Sequence, residues 1–422
     1  MKDRVRKSSA DQLSAEVQQM LVPLVAGVMA TKQELLAWVH DRGLRALDEL
    51  LCAEAEQVAG AKGRHSAERA HNHWGRTTTA VQFGGRQITI SRPRVRSKAG
   101  REALLPSLES FRRADPMPER IIEQIVLGVS TRGYHRSLEP TAAGARTFGT
   151  SKSAASRHLV ARTRAKVKEH FSRRLEEVDI VAMMLDGIEV GGHIVVAALG
   201  FTADGTKLPL GVWQGSTENA AVCTSLLNDL LERGLRVEHR ILCVIDGGKG
   251  LRKALRDVLG DKVVVQRCQV HKRRNVLEHL PEHRRVHVGR TLREAYASSS
   301  AKTGRNRLRA LSSWLERNGE ESAAASVREG LEETLTVVKL SLPPTLRRSL
   351  STTNAIENML GTVRRVTRNV KRWRDGAMAK RWTGLGVLEA ADHFHRVKGH
   401  RDMPALLIAL NALPVDVVED AA

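Results

Sequence analysis

Apolar strands joined by two-residue turns constrain the fold of this chain more than any other feature. VAMMLDGIEV, HIVVAALGF and KLPLGVW are separated first by Gly191-Gly192 and then by a connection that contains Asp204-Gly205. Such short connections favour antiparallel hairpins, because glycine adopts the left-handed turn conformations that adjacent strands need. The sequence therefore predicts three consecutive antiparallel strands between about 181 and 213.

Alternating helices and strands follow. A helix that Ser216 or Thr217 would cap closes at Gly234, and the almost wholly apolar RILCVID is typical of a strand covered on both faces. A helix over about 249–259 and the strand KVVVQRC complete the series. Three antiparallel strands, a helix, a parallel strand, a helix and a last strand is the order of a ribonuclease H-like fold. We therefore predict an α/β protein with such a core.

Two aspartates lie in or at the end of apolar strands of this core. Asp186 is in the first strand and Asp246 ends the fourth, in VIDGGKG. These strands are neighbours in a ribonuclease H-like sheet, and a buried carboxylate is costly unless it is paired or bound to metal. The alternative is two ordinary loop aspartates. Since Mg²⁺ prefers carboxylate oxygens, the pair predicts a magnesium site for phosphodiester chemistry, at which Mn²⁺ would substitute.

A third carboxylate is predicted on the helix of STTNAIENMLGTVRRVTRNVKRW. Ser351 or Thr352 can cap this helix, and Glu357 lies in its early turns. Asn354 and Gly361 are three and four residues away, so they share its face, and Gly361 leaves room for a DNA backbone. On spacing alone, however, an ordinary exposed glutamate is the better interpretation of Glu357.

A net charge of +21 indicates a polyanionic partner. The excess is spread along the chain, and each phosphate that a basic side chain neutralises releases counterions. The alternative is a ribosome-bound or generally adhesive basic protein. Between 364 and 401, eleven Lys or Arg stand against three Asp or Glu, and Trp373 and Trp382 could stack on bases or sugars. Buried tryptophans beneath a solvated helix face explain the two rings equally well, but not the charge excess. Nucleic acid is therefore the predicted partner.

The region before the core is predicted to be mostly helical and to bind DNA. Helices are expected over 13–59, followed by a linker at 59–76 and a hairpin that turns at Gly84-Gly85. PERIIEQIVLGVSTRGYHRSL predicts a helix-turn-helix, and GTSKSAASRHLVARTRAKVKEHF opens a helix with short polar and basic residues suited to a major groove. The alternative for this last helix is a basic linker. Its predicted DNA contacts are Lys152, Ser153, Ser156, Arg157 and His158.

Strand signals stop after about residue 272. The stretch to 345 is rich in helix formers, so it predicts an all-helical insertion that Pro343-Pro344 ends. The predicted segments are a helical region (1–75), a DNA-binding region (76–176), the first part of the core (177–271), the insertion (272–345) and the last part of the core with basic helices (346–422).

TTNAIEN, VIDGGKG and QRCQVHKRRN together resemble the Mutator-type insertion-sequence transposases of bacteria. The resemblance runs from about 80 to 400, and it implies an Asp-Asp-Glu triad at Asp186, Asp246 and Glu357 with a helical insertion before the glutamate. Gly187 and Gly248 depart from the residues that many members carry, without touching the acids.

The resemblance also implies a neighbourhood around the triad. Cys268 and His271 recur in the family, and Asn354 shares the face of Glu357. Cys-x-x-His is half of a zinc pattern, but no second pair has a suitable spacing. The further basic residues predicted to contact DNA are Lys272, Arg273, Arg274, Arg364, Arg365, Arg368, Lys371 and Arg372.

The leading hypothesis is an enzyme that binds terminal inverted repeats of double-stranded DNA, cuts there and joins the ends to a target. Synapsis of two ends implies a homodimer or a higher oligomer. The alternatives are a DNA-binding regulator or inactive copy, and a nuclease that cuts without joining. Scattered cysteines, no apolar run of membrane length and no signal core predict a soluble protein, cytoplasmic and nucleoid-associated in a bacterium, with no membrane partner.

Overall fold

The computed structural model describes residues 32–64, 69–113, 120–141, 145–215 and 220–413. The chain divides into two compact units, Met1–Arg162 and Thr163–Ala422. Predictions for 13–31 and for the cap at Ser216 or Thr217 lie outside the described residues. Across the described ranges, no helix has the length and apolar character that a bilayer crossing demands.

The first unit is built on a long antiparallel hairpin. Strands β1 (His71–Phe83) and β2 (Arg86–Ser97) pair across Gly84-Gly85, where φ is +62° and +78°, so the predicted turn is confirmed. The short β3 (Thr147–Phe148) pairs with β2. The predicted linker is wrong from residue 71 onward, because β1 already begins there.

Three helices accompany the hairpin: α1 (Lys32–Ala59), α2 (Pro106–Arg113) and α3 (Arg120–Val126). The described part of the predicted N-terminal helix is confirmed by α1. Its apolar side, with Leu47 and Leu51, packs on Val81 and Val95 of the hairpin. Burial of these side chains stabilises the unit by about 1.5–3 kcal/mol each.

The predicted second helix of the helix-turn-helix is wrong. After α3, the described residues contain a turn and one 3₁₀ turn, Tyr134–Arg136. Ser130 accepts the Gly133 N–H, and the Tyr134 hydroxyl donates to the Gly85 carbonyl at 2.8 Å. These contacts hold the segment against the hairpin. The helix predicted after it is confirmed as α4 (Lys152–Phe171).

The second unit is mixed α/β and contains a five-stranded sheet. Its strands are β4 (Ile180–Val190), β5 (His193–Thr202), β6 (Lys207–Gly215), β7 (Ile241–Ile245) and β8 (Val263–Arg267). The order is β6-β5-β4-β7-β8; β5 is antiparallel to its neighbours β4 and β6, whereas β4, β7 and β8 are parallel. The predicted series of strands is confirmed, including the neighbouring first and fourth strands.

Helices cover both faces of this sheet. On one face lie α5 (Ala220–Glu232) and α6 (Lys249–Leu259), whose leucines pack on alternate residues of β4 such as Met183 and Leu185. Other residues of β4, such as Met184, face the apolar side chains of the C-terminal helices. Coverage on both faces explains why β4 and β7 are almost wholly apolar up to their acids.

The segment between β8 and Pro343, which was predicted as a helical insertion, consists of helices, and the first of them begins at residue 269. Its helices are α7 (Gln269–Glu278), α8 (Glu282–Tyr296), α9 (Ala301–Arg317), α10 (Glu321–Arg328), α11 (Leu331–Thr334) and α12 (Thr336–Lys339). Pro343-Pro344 follows as predicted, and Pro344 also begins the next helix, α13 (Pro344–Leu350), where a missing N–H costs nothing. The remaining helices are α14 (Asn354–Thr367), α15 (Gly376–Ala391) and α16 (Met403–Asn411).

Candidate active site

Asp186 and Asp246 lie on adjacent parallel strands. The β4–β7 pairing runs to Met184 and Val244, so each aspartate is two residues beyond that pair. Asp186 Oδ1 accepts the Gly187 N–H at 2.9 Å. Asp246 Oδ1 accepts the Gly248 N–H at 2.8 Å. Both side chains are half-buried at this end of the sheet.

The turn after Asp246 requires glycine. Gly247 has φ +108°, and a Cβ there would overlap the guanidinium of Arg267 at the end of β8. Arg267 is buried and donates to the backbone carbonyl and to a carboxylate oxygen of Glu329, each at 3.1 Å. The position of the Asp246 turn is therefore linked through Arg267 to the helical insertion.

Glu357 lies in the first turn of α14, which packs against β4. The residue that precedes the helix is Thr353, so the predicted caps Ser351 and Thr352 are displaced by one or two residues. The Thr353 hydroxyl donates to Glu357 Oε1 and thereby fixes its orientation. Asn354 is exposed at the start of the helix, and a Cβ on Gly361 would meet open space.

A buried thiol and an imidazole adjoin Glu357. Cys268 Sγ lies 3.3 Å from Thr353 Oγ1, which is also 3.3 Å from His271 Nδ1. His271 Nε2 lies 3.8 Å from Glu357 Oε1. Thr353 was not among the predicted site residues, although its spacing of four residues from Glu357 puts the two on one face of the helix.

The charges around His271 favour its protonated form. A hydrogen bond with Cys268, together with the negative charges of Cys268, Glu357 and Asp186, raises the pKa of His271 to about 9. Burial alone would raise the pKa of the Cys268 thiol, but its hydrogen bonds with His271 and Thr353 lower it overall. The surroundings of His271 therefore favour its charged form, with Nε2 3.8 Å from Glu357 Oε1.

The donor set fits a hard divalent cation. Asp186, Asp246 and Glu357 offer carboxylate oxygens, which Mg²⁺ prefers. Among the described residues, the group whose ligand atoms all lie within 4.8 Å of one another is instead Cys268, His271 and Glu357. Carboxylates that surround two cations need not touch one another, so this compact group does not exclude a magnesium site on the acids.

Lys272 is not available to DNA, so its predicted phosphate contact is wrong. Its side chain is 1% exposed, donates to the Glu329 carbonyl and lies 3.5 Å from a Glu329 carboxylate oxygen. The error arises because Lys272 lies on the face of α7 that packs against the rest of the helical segment, where it contacts Glu329. The two residues that follow are more accessible to solvent: Arg273 is half-buried and Arg274 is exposed.

Burial of Lys272 predicts a pH-dependent stability. Desolvation lowers its pKa from 10.5 to about 8, so above pH 8 the unfolded chain holds more protons than the folded one. The contribution of Lys272 to the free energy of unfolding should therefore rise, by roughly 2 kcal/mol, between pH 7 and 10. Urea unfolding of Lys272→Met should lack that rise, and exposed Lys253→Met should keep it. Parallel pH profiles for all three proteins would contradict the assignment.

The basic stretch after Glu357 is exposed, but its tryptophans are not. Arg364, Arg368, Lys371 and Arg372 face solvent, and Arg365 lies 3.8 Å from Glu389. Trp382 is 7% exposed within the core of the unit, which contradicts a stacking role. Trp373 is half-buried and packs over Gly191 at the turn after β4.

The N-terminal turns of α4 line a polar cavity of about 440 Å³ in the first unit. Lys152, Ser153 and Arg157 are exposed, whereas Ser156 and His158 are half-buried. Arg157 and His158 line the cavity together with residues of the hairpin, including Arg86 and Gln87. Polar and basic groups therefore converge where the sequence predicted DNA contact.

Known proteins match most of the chain. The family model described as "Transposase, Mutator family" matches residues 25–397. The transposase for insertion sequence element ISRM3 of Rhizobium meliloti (strain 1021) is 26% identical over 365 residues, which is 83% of this chain and 88% of that protein. The transposase for IS256 in transposon Tn4001 of Staphylococcus aureus is 26% identical over 292 residues, 65% of this chain and 70% of that protein.

Proposed function

Because the chain belongs to the Mutator family of transposases, we propose that it binds the terminal inverted repeats of an insertion sequence, cuts DNA there and joins the ends to a target. The basic surface supports DNA as the partner. Two DNA ends must be held together during such a reaction, so the active form is at least a homodimer.

The catalytic residues are Asp186, Asp246 and Glu357. The observation that supports this assignment is the parallel pairing of β4 and β7, which puts the two aspartates at the ends of adjacent strands, with the helix of Glu357 packed on β4. These carboxylates would hold Mg²⁺, or Mn²⁺ in its place. When bound, the metal would activate the attacking oxygen and stabilise the leaving oxygen of the phosphodiester.

The surrounding residues keep the acids in position. Thr353 holds Glu357 through its hydroxyl, and the His271 charge lies close to both Glu357 and Asp186. Glycines after Asp186 and Asp246 donate N–H groups to the carboxylates and thereby orient them. The sheet order and the helical insertion before Glu357 support a ribonuclease H-like core, and α4 supports recognition of the repeats.

The test uses purified protein, labelled DNA that carries the ends of its own element, and a divalent cation. We expect nicked and joined products with Mg²⁺ or Mn²⁺, and none after chelation, because the acids alone cannot activate water. Products are resolved on denaturing gels, and Ca²⁺ serves as a control that fills an oxygen site without supporting the same chemistry.

The products distinguish the alternatives. Cleavage without joined products would favour a nuclease, whereas tight and specific binding without cleavage would favour a regulator or an inactive copy. Cleavage that persists after complete chelation would overturn the magnesium site.

A further inference from the structure

An arginine-lined cleft lies in the second unit beside the candidate active site. It encloses about 480 Å³ between α7, the end of α8 and α13, and its basic residues are Arg273, Arg293, Arg347 and Arg348. Only Arg273 was among the predicted DNA contacts. The other three come from distant segments that converge only in the folded chain.

The cleft is lined by the same two backbone segments that surround Glu357. Helix α7 begins at Gln269, whose N–H donates to the Ser351 carbonyl at 3.0 Å, and both residues line the cleft. His271 of this helix lies beside Glu357, while Arg273 lines the cleft. Thr352 lines the cleft and is followed directly by Thr353, which holds Glu357. A DNA strand bound at Glu357 would therefore lie close to this cleft.

The positive charge of the cleft is not neutralised. No carboxylate lines it, and the ion pairs found among the described residues include none of its four arginines. Arg347 donates to the Ser298 carbonyl at 3.2 Å, so it is held in place by the backbone. Like charges this close are stabilised by an anion, and guanidinium groups match phosphate oxygens in geometry.

We propose that this cleft binds the sugar–phosphate backbone of the DNA strand on which the acids act, next to the cleaved bond. Val270, Tyr296 and Pro344 supply an apolar wall between the arginines, which suits the faces of deoxyribose. The inference rests on the proposed function, because it assigns to the helical insertion a part in holding the substrate strand.

The test removes two arginines whose side chains make no hydrogen bond or ion pair with the described residues. Arg293 and Arg348 are exposed, so R293A/R348A is expected to fold, and K302A/R309A removes two exposed charges of the insertion outside the cleft. Binding of a fluorescein-labelled duplex of arbitrary sequence, and of one of its single strands, is measured by fluorescence anisotropy over a series of salt concentrations.

For R293A/R348A we expect the slope of log affinity against log salt to fall by about 2, and the affinity to drop roughly 10–100-fold near ~0.1 M salt. Both duplex and single strand should be affected, because the contact is with one backbone. R293K/R348K should restore most of the slope, which excludes misfolding as the cause.

The outcomes separate the two levels of the proposal. If R293A/R348A binds DNA with the wild-type slope, or loses no more than K302A/R309A, the cleft does not hold DNA and the proposed function is untouched. If wild-type protein binds neither duplex nor single strand, the proposed function itself fails and the cleft proposal fails with it.

Discussion

Replacing Asp246 with asparagine is expected to lower the rate of DNA cleavage by roughly 10³-fold or more, while DNA binding persists. The same result is expected for Asp186→Asn and Glu357→Gln. Asparagine keeps the Oδ1 atom that accepts the Gly248 N–H at 2.8 Å, so the turn after β7 should be retained. The substitution removes the charge that a divalent cation requires, and little else.

Stability measurements separate a catalytic role from a structural one. If these acids hold metal, the metal-free protein keeps carboxylates of like charge at one sheet edge, and neutralising one of them should leave the thermal midpoint unchanged or raise it. If the charge of Asp246 instead served the fold, Asp246→Asn would lower the midpoint. Asp257→Asn is the matched control, because Asp257 is exposed on α6 outside the site.

Combining the substitutions gives a sharper result. Residues that act as one unit are not additive, so D186N/D246N should be no slower than either single variant. Cleavage rates are compared by single-turnover assays on labelled DNA at saturating protein. Wild-type rates in any of the three single variants would mean that the acid in question is misassigned.

Much of this arrangement could be predicted from local sequence signals. The short connections that contain Gly191-Gly192 and Asp204-Gly205 determine antiparallel neighbours, and the apolar run before Asp246 indicates a strand covered on both faces. The second connection has four residues, 203–206, where the sequence predicted two. These signals are short-range, so a single sequence contains them. The family predicted from TTNAIEN, VIDGGKG and QRCQVHKRRN is confirmed over residues 25–397.

The errors arose where tertiary contacts override local pattern. The segment around Tyr134 has helix-forming neighbours, but its buried ring and its hydrogen bond to Gly85 hold it in a 3₁₀ turn. Lys272 follows His271 in a basic run that suggests a solvated face. Its burial depends on Glu329, which is 57 residues away in the chain, and no spacing rule connects the two.

The roles of other residues depend on contacts between segments that are far apart in the sequence. Thr353 lies close to Cys268, which is 85 residues earlier, and the cleft arginines come from α7, α8 and α13. A single sequence offers no measure of which of its many arginines lack an acidic neighbour. That distinction, between paired and unneutralised charge, is what the fold adds to the composition.

Gly191→Ala is expected to destabilise the protein by roughly 3–4 kcal/mol, whereas Gly192→Ala should cost about 1 kcal/mol. Both glycines have positive φ, +62° and +78°, so alanine is strained at either position. A Cβ on Gly191 would also overlap the indole ring of Trp373, while a Cβ on Gly192 meets no atom within 4 Å. Urea unfolding of the two variants, followed by tryptophan fluorescence, therefore measures the packing separately from the backbone strain.

The contact between Trp373 and Gly191 should also affect DNA binding. Trp373 follows the exposed Lys371 and Arg372, so its packing over Gly191 fixes this basic loop beside the strand that carries Asp186. Gly191→Ala should weaken DNA affinity as well as stability, and Gly192→Ala should leave the affinity unchanged. In a double-mutant cycle, Trp373→Ala should remove most of the extra cost of Gly191→Ala, because the overlapping ring is then absent. Equal destabilisation by the two glycine variants would show that the loop, not the strand turn, yields to the added methyl group, and that the ring is free to move.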